Sequence, residues 1–446
     1  MALTALDIFK NLPKTNCKDC GVPTCLAFAM QLAAKKVELN KCPHITEEGK
    51  AALDSASAPP IKLITIGDGE KKVEIGNETV LFRHEETFYH ETGVAILVSD
   101  LLAENELVEK VRTINRKSYE RVGFTIGVNL VALKNDSMDA VVFARAAEAA
   151  QNASELPLIL MTEDPAAMKA AAVKIKDKKP LLYGITANTI EAMAQVAAEM
   201  NLPVVISAPV ESMAEITQKA RKIGANNLVL EPLSDGFTRK LEDLTQLRRA
   251  QLKKNFRDVG FPLLVNAVYP DNPYLETNHA ACYVAKYASI VIISGCEDWQ
   301  LLPLLTVRQN IYTDPQKPIQ VKPGIWEVGK PCPDSPVLVT TNFSLTYYTV
   351  EGEATASRIP SYILVIDTEG TSVLTAWAAE KFTVEMIASK LNESGGIGEK
   401  VKHRTVIIPG LVAVMTAKLK EESGWNVLVG PREATGIPRF LKSIAT

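Results

Sequence analysis

Cys17, Cys20, Cys25 and Cys42 give the spacing C-x2-C-x4-C-x16-C near the start of the chain, with Pro43 directly behind the last cysteine. Thiolates ligate metals, and four that converge on one point suit either a tetrahedral zinc ion or an iron-sulfur cluster. Structural zinc sites usually come as two tight C-x-x-C knuckles. Here only one pair is tight, and a helix-like stretch, CLAFAMQLA, separates the third ligand from the fourth. Gly21 after the second cysteine lets backbone N–H groups approach inorganic sulfide, and a Cys-Pro pair closes ligand sets in ferredoxins. The pattern favours a [4Fe-4S] cluster over zinc or inert thiols. His44 follows Pro43 and has the chemistry of a ligand, but four cysteines suffice and it reads as a surface residue.

The remaining cysteines are scattered. Cys282 falls in a helical pattern and Cys296 at the end of an apolar run, as buried small residues do, and Cys332 lies in a Pro-rich stretch; no chemistry is assigned to them. The 446 residues carry 47% apolar and 23% charged side chains, the balance of a folded chain long enough for about two to four domains. A net charge of -3 without a basic run argues against nucleic acid. Apolar runs such as YILVI at 362 fall far short of the roughly 18 residues that span a bilayer, and MALTALDIFKNLPK lacks the apolar core and cleavage site of a secretory signal. These features predict a cytoplasmic protein with no membrane association. Disulfides are rare in that compartment, which again favours a metal site for the clustered thiols.

The elements that must position such groups follow from periodicity. Residues 1–57 carry the cysteines and end in the breaker-rich SASAPP. Residues 58–92 read as a linker whose KLITIGDG and KKVEIGNETVLF form hairpins. From 93 to 312, eight apolar runs alternate with amphipathic stretches: VAILVS at 94, FTIGVNL at 124, LPLILM at 156, PLLYGI at 180, LPVVIS at 202, NLVLEP at 227, PLLVNA at 262 and SIVIIS at 289. Eight β-α units in that length predict a (β/α)8 TIM barrel, with a doubly wound open sheet as the competitor. Asp100, Asn129, Glu163 and Asn266 stand where barrel enzymes place catalytic groups, and equally where helices are capped. A Pro-rich linker covers 313–335, and the two linkers would let the end domains swing. Residues 336–446 form an α/β domain with strands PVLVT, YILVI, TVIIP and NVLVG.

In parallel α/β sheets ligands sit outside the carboxyl ends of the strands. Those ends carry Thr340, Thr341 and Asn342, then DTEGTS (367–372), Pro409 and Gly410, and GPREATG (430–436), so the domain suits a broad, uncharged ligand docked against backbone. No G-x-G-x-x-G follows its strands, which weighs against a flavin or nucleotide reductase.

The order CKDCGVPTCLAFAMQLA, NKCP, barrel, DTEGTS and IIPGLVAVMTAKLKEESGWNVLVGPREA closely resembles the large (gamma) subunits of corrinoid iron-sulfur proteins of the acetyl-CoA (Wood-Ljungdahl) pathway, over essentially the whole chain. The resemblance implies a Rossmann-like corrinoid-binding C-terminal domain and a methyl carrier of anaerobic carbon fixation. Methyl would come from methyltetrahydrofolate through a separate methyltransferase and pass to acetyl-CoA synthase/CO dehydrogenase. It implies a heterodimer with a smaller barrel subunit, the corrinoid (cobamide) lying between that barrel and the C-terminal domain. The [4Fe-4S] cluster on Cys17, Cys20, Cys25 and Cys42 would return Co(II) to Co(I). On this reading corrinoid contacts fall at Gly370, Thr371, Ser372 and Val373, with Thr340, Thr346, Gly410, Gly430, Pro431 and Gly436 in support; the competing reading of each is a plain cap or turn. Many corrinoid domains carry Asp-x-His-x-x-Gly, but Asp367-Thr368-Glu369-Gly370 has glutamate at the histidine position, and His403 precedes a strand. A base-off corrinoid without a histidine ligand is therefore expected. The barrel would be scaffold and interface, the alternative being a methyltransferase that binds a pterin in its own barrel.

Overall fold

The computed structural model describes residues 5–33, 37, 39–46, 49, 53, 59–121 and 124–444. Strands β1 (Ile64–Ile66) and β2 (Val73–Ile75) pair antiparallel. They precede β3 (Gly93–Ser99), an outer hairpin of β4 (Ser118–Arg121) and β5 (Phe124–Gly127), and then β6 (Leu130–Lys134). The series continues through β7 (Leu158–Met161), β8 (Leu181–Ile185), β9 (Val204–Ala208), β10 (Leu228–Pro232), β11 (Leu264–Asn266) and β12 (Ile290–Ile293). The eight strands β3 and β6–β12 run parallel in the order β10-β9-β8-β7-β6-β3-β12-β11. A parallel bridge from Leu230 to Leu263 brings the two ends together, so the sheet closes as the TIM barrel expected.

Strand side chains alternate between two cores, as the period of two requires. Val94, Ile96, Val131 and Leu133 face the surrounding helices. Ala95, Leu130, Ala132, Ile159, Val205, Val229, Leu264 and Ile292 fill the barrel interior together with Ile64, Ile66, Val73 and Ile75 of the first hairpin. Segment 58–92 is thus no linker. Its hairpin floors the barrel, with Lys62 N–H donating to Gly260 O and Gly67 N–H to Lys179 O, both at 2.9 Å. Residues 78–92 then strap the barrel wall, where Glu78 and Arg248 are both buried 3.7 Å apart. Burial pushes the Glu78 carboxyl up, against the N–H groups of His90 and Tyr89 and the guanidinium.

The run FTIGVNL was expected as the second barrel strand. Its first half is instead β5, outside the barrel, and the barrel strand is the following LVALK. Arg308 fixes the change of direction by donating to Gly127 O at 3.1 Å, to Thr92 O at 3.2 Å and to Asn129 Oδ1.

Beyond the barrel, β13 (Gly324–Val328), β14 (Val337–Thr341), β15 (Ser361–Ile366), β16 (Thr405–Ile408) and β17 (Asn426–Val429) form one sheet in the order β13-β15-β14-β16-β17. Its four parallel strands follow the 2-1-3-4 order of a doubly wound fold. Strand β13 is antiparallel at the edge, so the stretch read as a Pro-rich linker is largely part of the sheet. Ahead of it Val321 N–H donates to Asn342 O at 2.8 Å and Ser344 N–H to Ile319 O at 3.1 Å. Prolines are tolerated here because an edge leaves half the backbone unpaired.

The cysteine-bearing module has helices Ala5–Lys10 and Cys25–Ala33 and a 3-10 turn, Leu39–Lys41. Most of SASAPP lies outside the described residues. No helix among them is long and apolar enough to cross a membrane.

Because Ile66 is fully buried in the barrel floor, Ile66→Ala should lower the stability of the barrel by about 2–5 kcal/mol in denaturant unfolding. A change within about 0.5 kcal/mol, as at a surface site, would restore the linker reading.

Candidate functional site

The loop between Leu12 and Cys25 takes left-handed backbone at Lys14 (φ 60°), Asn16 (φ 47°), Lys18 (φ 68°) and Gly21 (φ 78°). Such conformations are uncommon outside glycine, so the loop is a series of tight turns. Asn16 Oδ1 accepts from Cys25 N–H at 2.8 Å, and Thr24 Oγ1 accepts from Ala27 N–H at 3.1 Å, tying the loop to the start of its helix. Cys25 opens that helix. Cys42 ends the 3-10 turn, its N–H donating to Leu39 O at 3.0 Å.

Cys25 and Cys42 are buried in one small core with Ile8, Leu12, Val22 and Phe28, Cys20 packs at its edge, and Cys17 is exposed. Beside Cys17, His44 Nε2 lies 2.6 Å from Asp19 Oδ2. Hydrogen bonds with His44, and next with Cys17, hold the Asp19 carboxyl below its ordinary range. Four thiols on one tightly turned module with an apolar wall fit an iron-sulfur cluster.

The second site is the crevice where the C-terminal sheet reverses strand order, between the carboxyl ends of β14 and β16. It encloses about 300 Å³. Of the sequence-selected residues, Thr340, Thr346, Ser372, Val373, Gly430 and Pro431 line it, with Leu345, Leu374 and Leu411 as apolar walls. The Thr340 hydroxyl is buried and has no hydrogen-bond partner among the described residues. An unsatisfied buried hydroxyl costs free energy unless a ligand group meets it. A largely apolar pocket, with Arg432 at its wall and that one orphan hydroxyl, fits the face of a corrinoid.

Four selected residues do not line the crevice. Gly370 (φ 71°) lies against the 318–320 segment, where a Cβ would stand 2.6 Å from Gln320 Cγ. The Thr371 hydroxyl donates to Thr368 O at 2.7 Å and so closes its own turn. A Cβ on Gly410 would be 2.5 Å from Gly430 O, and one on Gly436 would be 2.7 Å from Pro431 Cβ. These glycines let the wall at 430–431 close up.

The 367–371 loop hangs on Asn342, which the sequence marked only as a strand end. Its Oδ1 accepts from Thr368 N–H at 3.0 Å, Thr368 Oγ1 at 2.9 Å and Gly370 N–H at 3.0 Å. Its Nδ2 donates to Gln320 Oε1 at 3.1 Å and Asp367 Oδ1 at 2.9 Å. His403 sits at the opposite end of the sheet. Its Nε2 meets Ser335 O at 2.9 Å, and its Nδ1 accepts from Thr405 N–H, the first residue of β16, at 3.2 Å. A strand length of about 10 Å separates it from the crevice.

In the barrel, Asp100 is engaged by Asp136 N–H and Ser137 N–H, each at 2.9 Å, and Ser137 Oγ at 2.6 Å. Asn129 accepts from Val94 N–H at 3.1 Å, Asn266 Oδ1 caps Val268 N–H at 3.2 Å, and Glu163 is exposed. Sequence reasoning missed Glu231, a carboxylate inside β10 that accepts from Tyr183 O–H at 2.5 Å and Ser207 Oγ at 2.6 Å. Its signal was the single charge in NLVLEP. Burial, then Glu231, pushes the Tyr183 hydroxyl well above its ordinary range.

A family described as CO dehydrogenase/acetyl-CoA synthase delta subunit matches residues 63–441. The corrinoid/iron-sulfur protein large subunit of Moorella thermoacetica is 46% identical over 444 residues, 99% of each chain. The chain belongs to the corrinoid/iron-sulfur protein large-subunit family. A further Fe-S cluster family matches residues 12–44, which span the cysteine loop and His44. The acetyl-CoA decarbonylase/synthase complex subunit gamma of Methanothermobacter thermautotrophicus is 36% identical over 459 residues, covering 100% of both chains. That of Methanopyrus kandleri is 36% identical over 454 residues, 99% of this chain and 97% of its own.

In this family member, Asn342→Ala would remove the acceptor of the Thr368 and Gly370 N–H groups and the donor to Gln320 Oε1, at a cost of about 3 kcal/mol. Hydrogen exchange at Thr368 and Gly370 should accelerate; unchanged exchange would mean the loop supports itself.

Proposed function

We propose that the chain is the large subunit of a methyl carrier in acetyl-CoA synthesis, holding a corrinoid at the C-terminal crevice and a [4Fe-4S] cluster on Cys17, Cys20, Cys25 and Cys42. The observation that carries this reading is the presence, on one chain, of four thiols on one small module and a largely apolar switch-point crevice with an orphan buried hydroxyl. When bound, the corrinoid supplies a cobalt that accepts and releases a methyl group. A cluster held by Cys17, Cys20, Cys25 and Cys42 would supply single low-potential electrons for keeping that cobalt reduced.

The protein's part is to bind and orient. Thr340, Thr346 and Ser372 offer hydroxyls to the polar rim of the macrocycle, Val373 and Pro431 supply flat apolar contact, and Gly430 leaves backbone open to it. Gly370 and Thr371 fix the adjoining loop, while Gly410 and Gly436 set the closeness of the opposite wall. With Glu369 exposed at the position of the usual histidine and His403 a strand away, a corrinoid held at the crevice would find no histidine of this domain within reach and would be bound base-off. Partners on this reading are the small subunit, the acetyl-CoA synthase complex and a separate methyltransferase that delivers methyl from methyltetrahydrofolate. The barrel is scaffold and interface, since Asp100, Asn129 and Asn266 are engaged in loop and strand bonds.

Metal analysis of anaerobically purified protein, co-expressed with its small subunit in a corrinoid-supplied host, should find about four iron and about one cobalt per chain. Iron without cobalt would sink the carrier reading, and zinc alone would sink both sites. Cys42→Ser should lose iron but keep cobalt. Thr340→Val should leave the apo fold intact, because its hydroxyl has no partner there to lose, yet weaken corrinoid binding by about 2–10-fold.

A further inference from the structure

Cys17 differs from the other three thiols in what covers it. Cys25 and Cys42 are buried among apolar side chains and Cys20 is half-buried, whereas Cys17 is open to solvent. Its neighbours are the side chains of Asp19 and His44, and the Cys17 sulfur, an Asp19 oxygen and a His44 nitrogen all lie within 4.8 Å of one another.

The pair has a particular place in the chain. Asp19 belongs to the loop that carries three thiols, and His44 stands two residues beyond the fourth. Their 2.6 Å contact spans 25 residues and joins the two segments whose separation sets the four-thiol geometry. Both side chains are about half exposed, at 49% and 53%. A surface pair of this kind adds little to folding, so its consequence lies in where it acts. Groups that hold a ligand in place typically change metal affinity 10–100-fold when removed. Cluster potentials follow the net charge, hydrogen bonding and solvent exposure at the sulfurs.

We propose that Asp19 and His44 form a hydrogen-bonded latch beside Cys17 at the open corner of the cluster site, so that the pair governs both iron retention and the potential at which the site accepts an electron. This rests on the cluster reading above. Both residues are positioning residues acting through Cys17. A bare Asp19 carboxylate would oppose the arrival of an electron, and the hydrogen bond His44 makes to it draws that charge away from the sulfur; the contact also ties the cysteine loop to the Cys42 turn.

The two single variants therefore move the potential in opposite directions while weakening the same tie. The test uses the full-length chain reconstituted anaerobically with iron and sulfide, comparing the native sequence with Asp19→Asn, His44→Ala and His44→Gln. Readouts are the midpoint potential, followed by electron paramagnetic resonance, and the rate of iron loss to a chelator. Asp19→Asn should raise the potential and His44→Ala should lower it, and both should lose iron about tenfold faster. His44→Gln, which keeps a donor toward Asp19, should restore slow iron loss.

Potentials that stay put or move together, with iron loss unchanged, overturn the latch. If His44→Ala holds no cluster, the other two variants decide: native potentials and release rates in both overturn it, whereas a raised potential in Asp19→Asn with slow release in His44→Gln upholds it. A native chain that takes up no iron overturns the cluster reading, and the latch with it.

Discussion

A buried amide must have all of its groups satisfied, and in the C-terminal domain the amide of Asn342 meets that demand by gathering three segments at one point. Its carbonyl oxygen collects the 368–370 backbone, and its nitrogen reaches Asp367 and the incoming Gln320. Because Asn342 directly follows β14, those bonds place the loop over the end of the strand that floors the crevice. Glu369 and Gly370 take consecutive left-handed conformations, φ 53° and 71°, to make the turn, and Gly370 has no room for a side chain against Pro318 and Gln320. The surface a ligand meets is thus fixed before it arrives.

The barrel answers to a different demand, the closure of its open end. Eight parallel strands leave apolar side chains uncovered at their amino-terminal end, and the β1–β2 hairpin supplies the missing layer. Residues 78–92 then grip the end of the last barrel helix, Asp298–Tyr312: Arg83 Nη2 donates to Thr313 O at 2.9 Å and Thr87 Oγ1 to Tyr312 O at 3.4 Å. On the far side residues 319–321 are already bonded to the C-terminal sheet. Pro318 packs on Gly370, so the stretch belonging to neither unit shrinks to residues 314–317.

The cysteine module solves a third problem, holding four thiols with little core. Its apolar cluster is small, and it relies on backbone turns and side-chain bonds for the rest. The two thiols with the most cover are those anchored by N–H bonds to Asn16 and Leu39. The outermost is flanked by charge.

How much of this was legible in advance depended on whether a signal is local. The C-x2-C-x4-C-x16-C spacing, the eight apolar runs and the small residues at strand ends are properties of neighbouring residues, and they marked the metal site, the barrel and the crevice wall formed by Thr340, Thr346, Ser372, Val373, Gly430 and Pro431. Glu369 in place of a histidine was equally plain. The failures share one cause. β5 and β6 both read as apolar alternation, and only Arg308, reaching from a distant helix, decides which enters the barrel. Prolines and glycines made β13 and the floor hairpin look like linkers, because propensity does not report a partner strand elsewhere in the chain. Gly370, Thr371, Gly410 and Gly436 were selected for the right loops with the wrong role, since whether a residue touches the ligand or makes room for a neighbour depends on packing. By itself the sequence determined which chemistries the chain carries and the order of its units. Tertiary structure alone decided which side chains meet, as Asp19 meets His44 across 25 residues, because pairing over such distances is selected by the free energy of the whole fold and leaves no trace in local pattern.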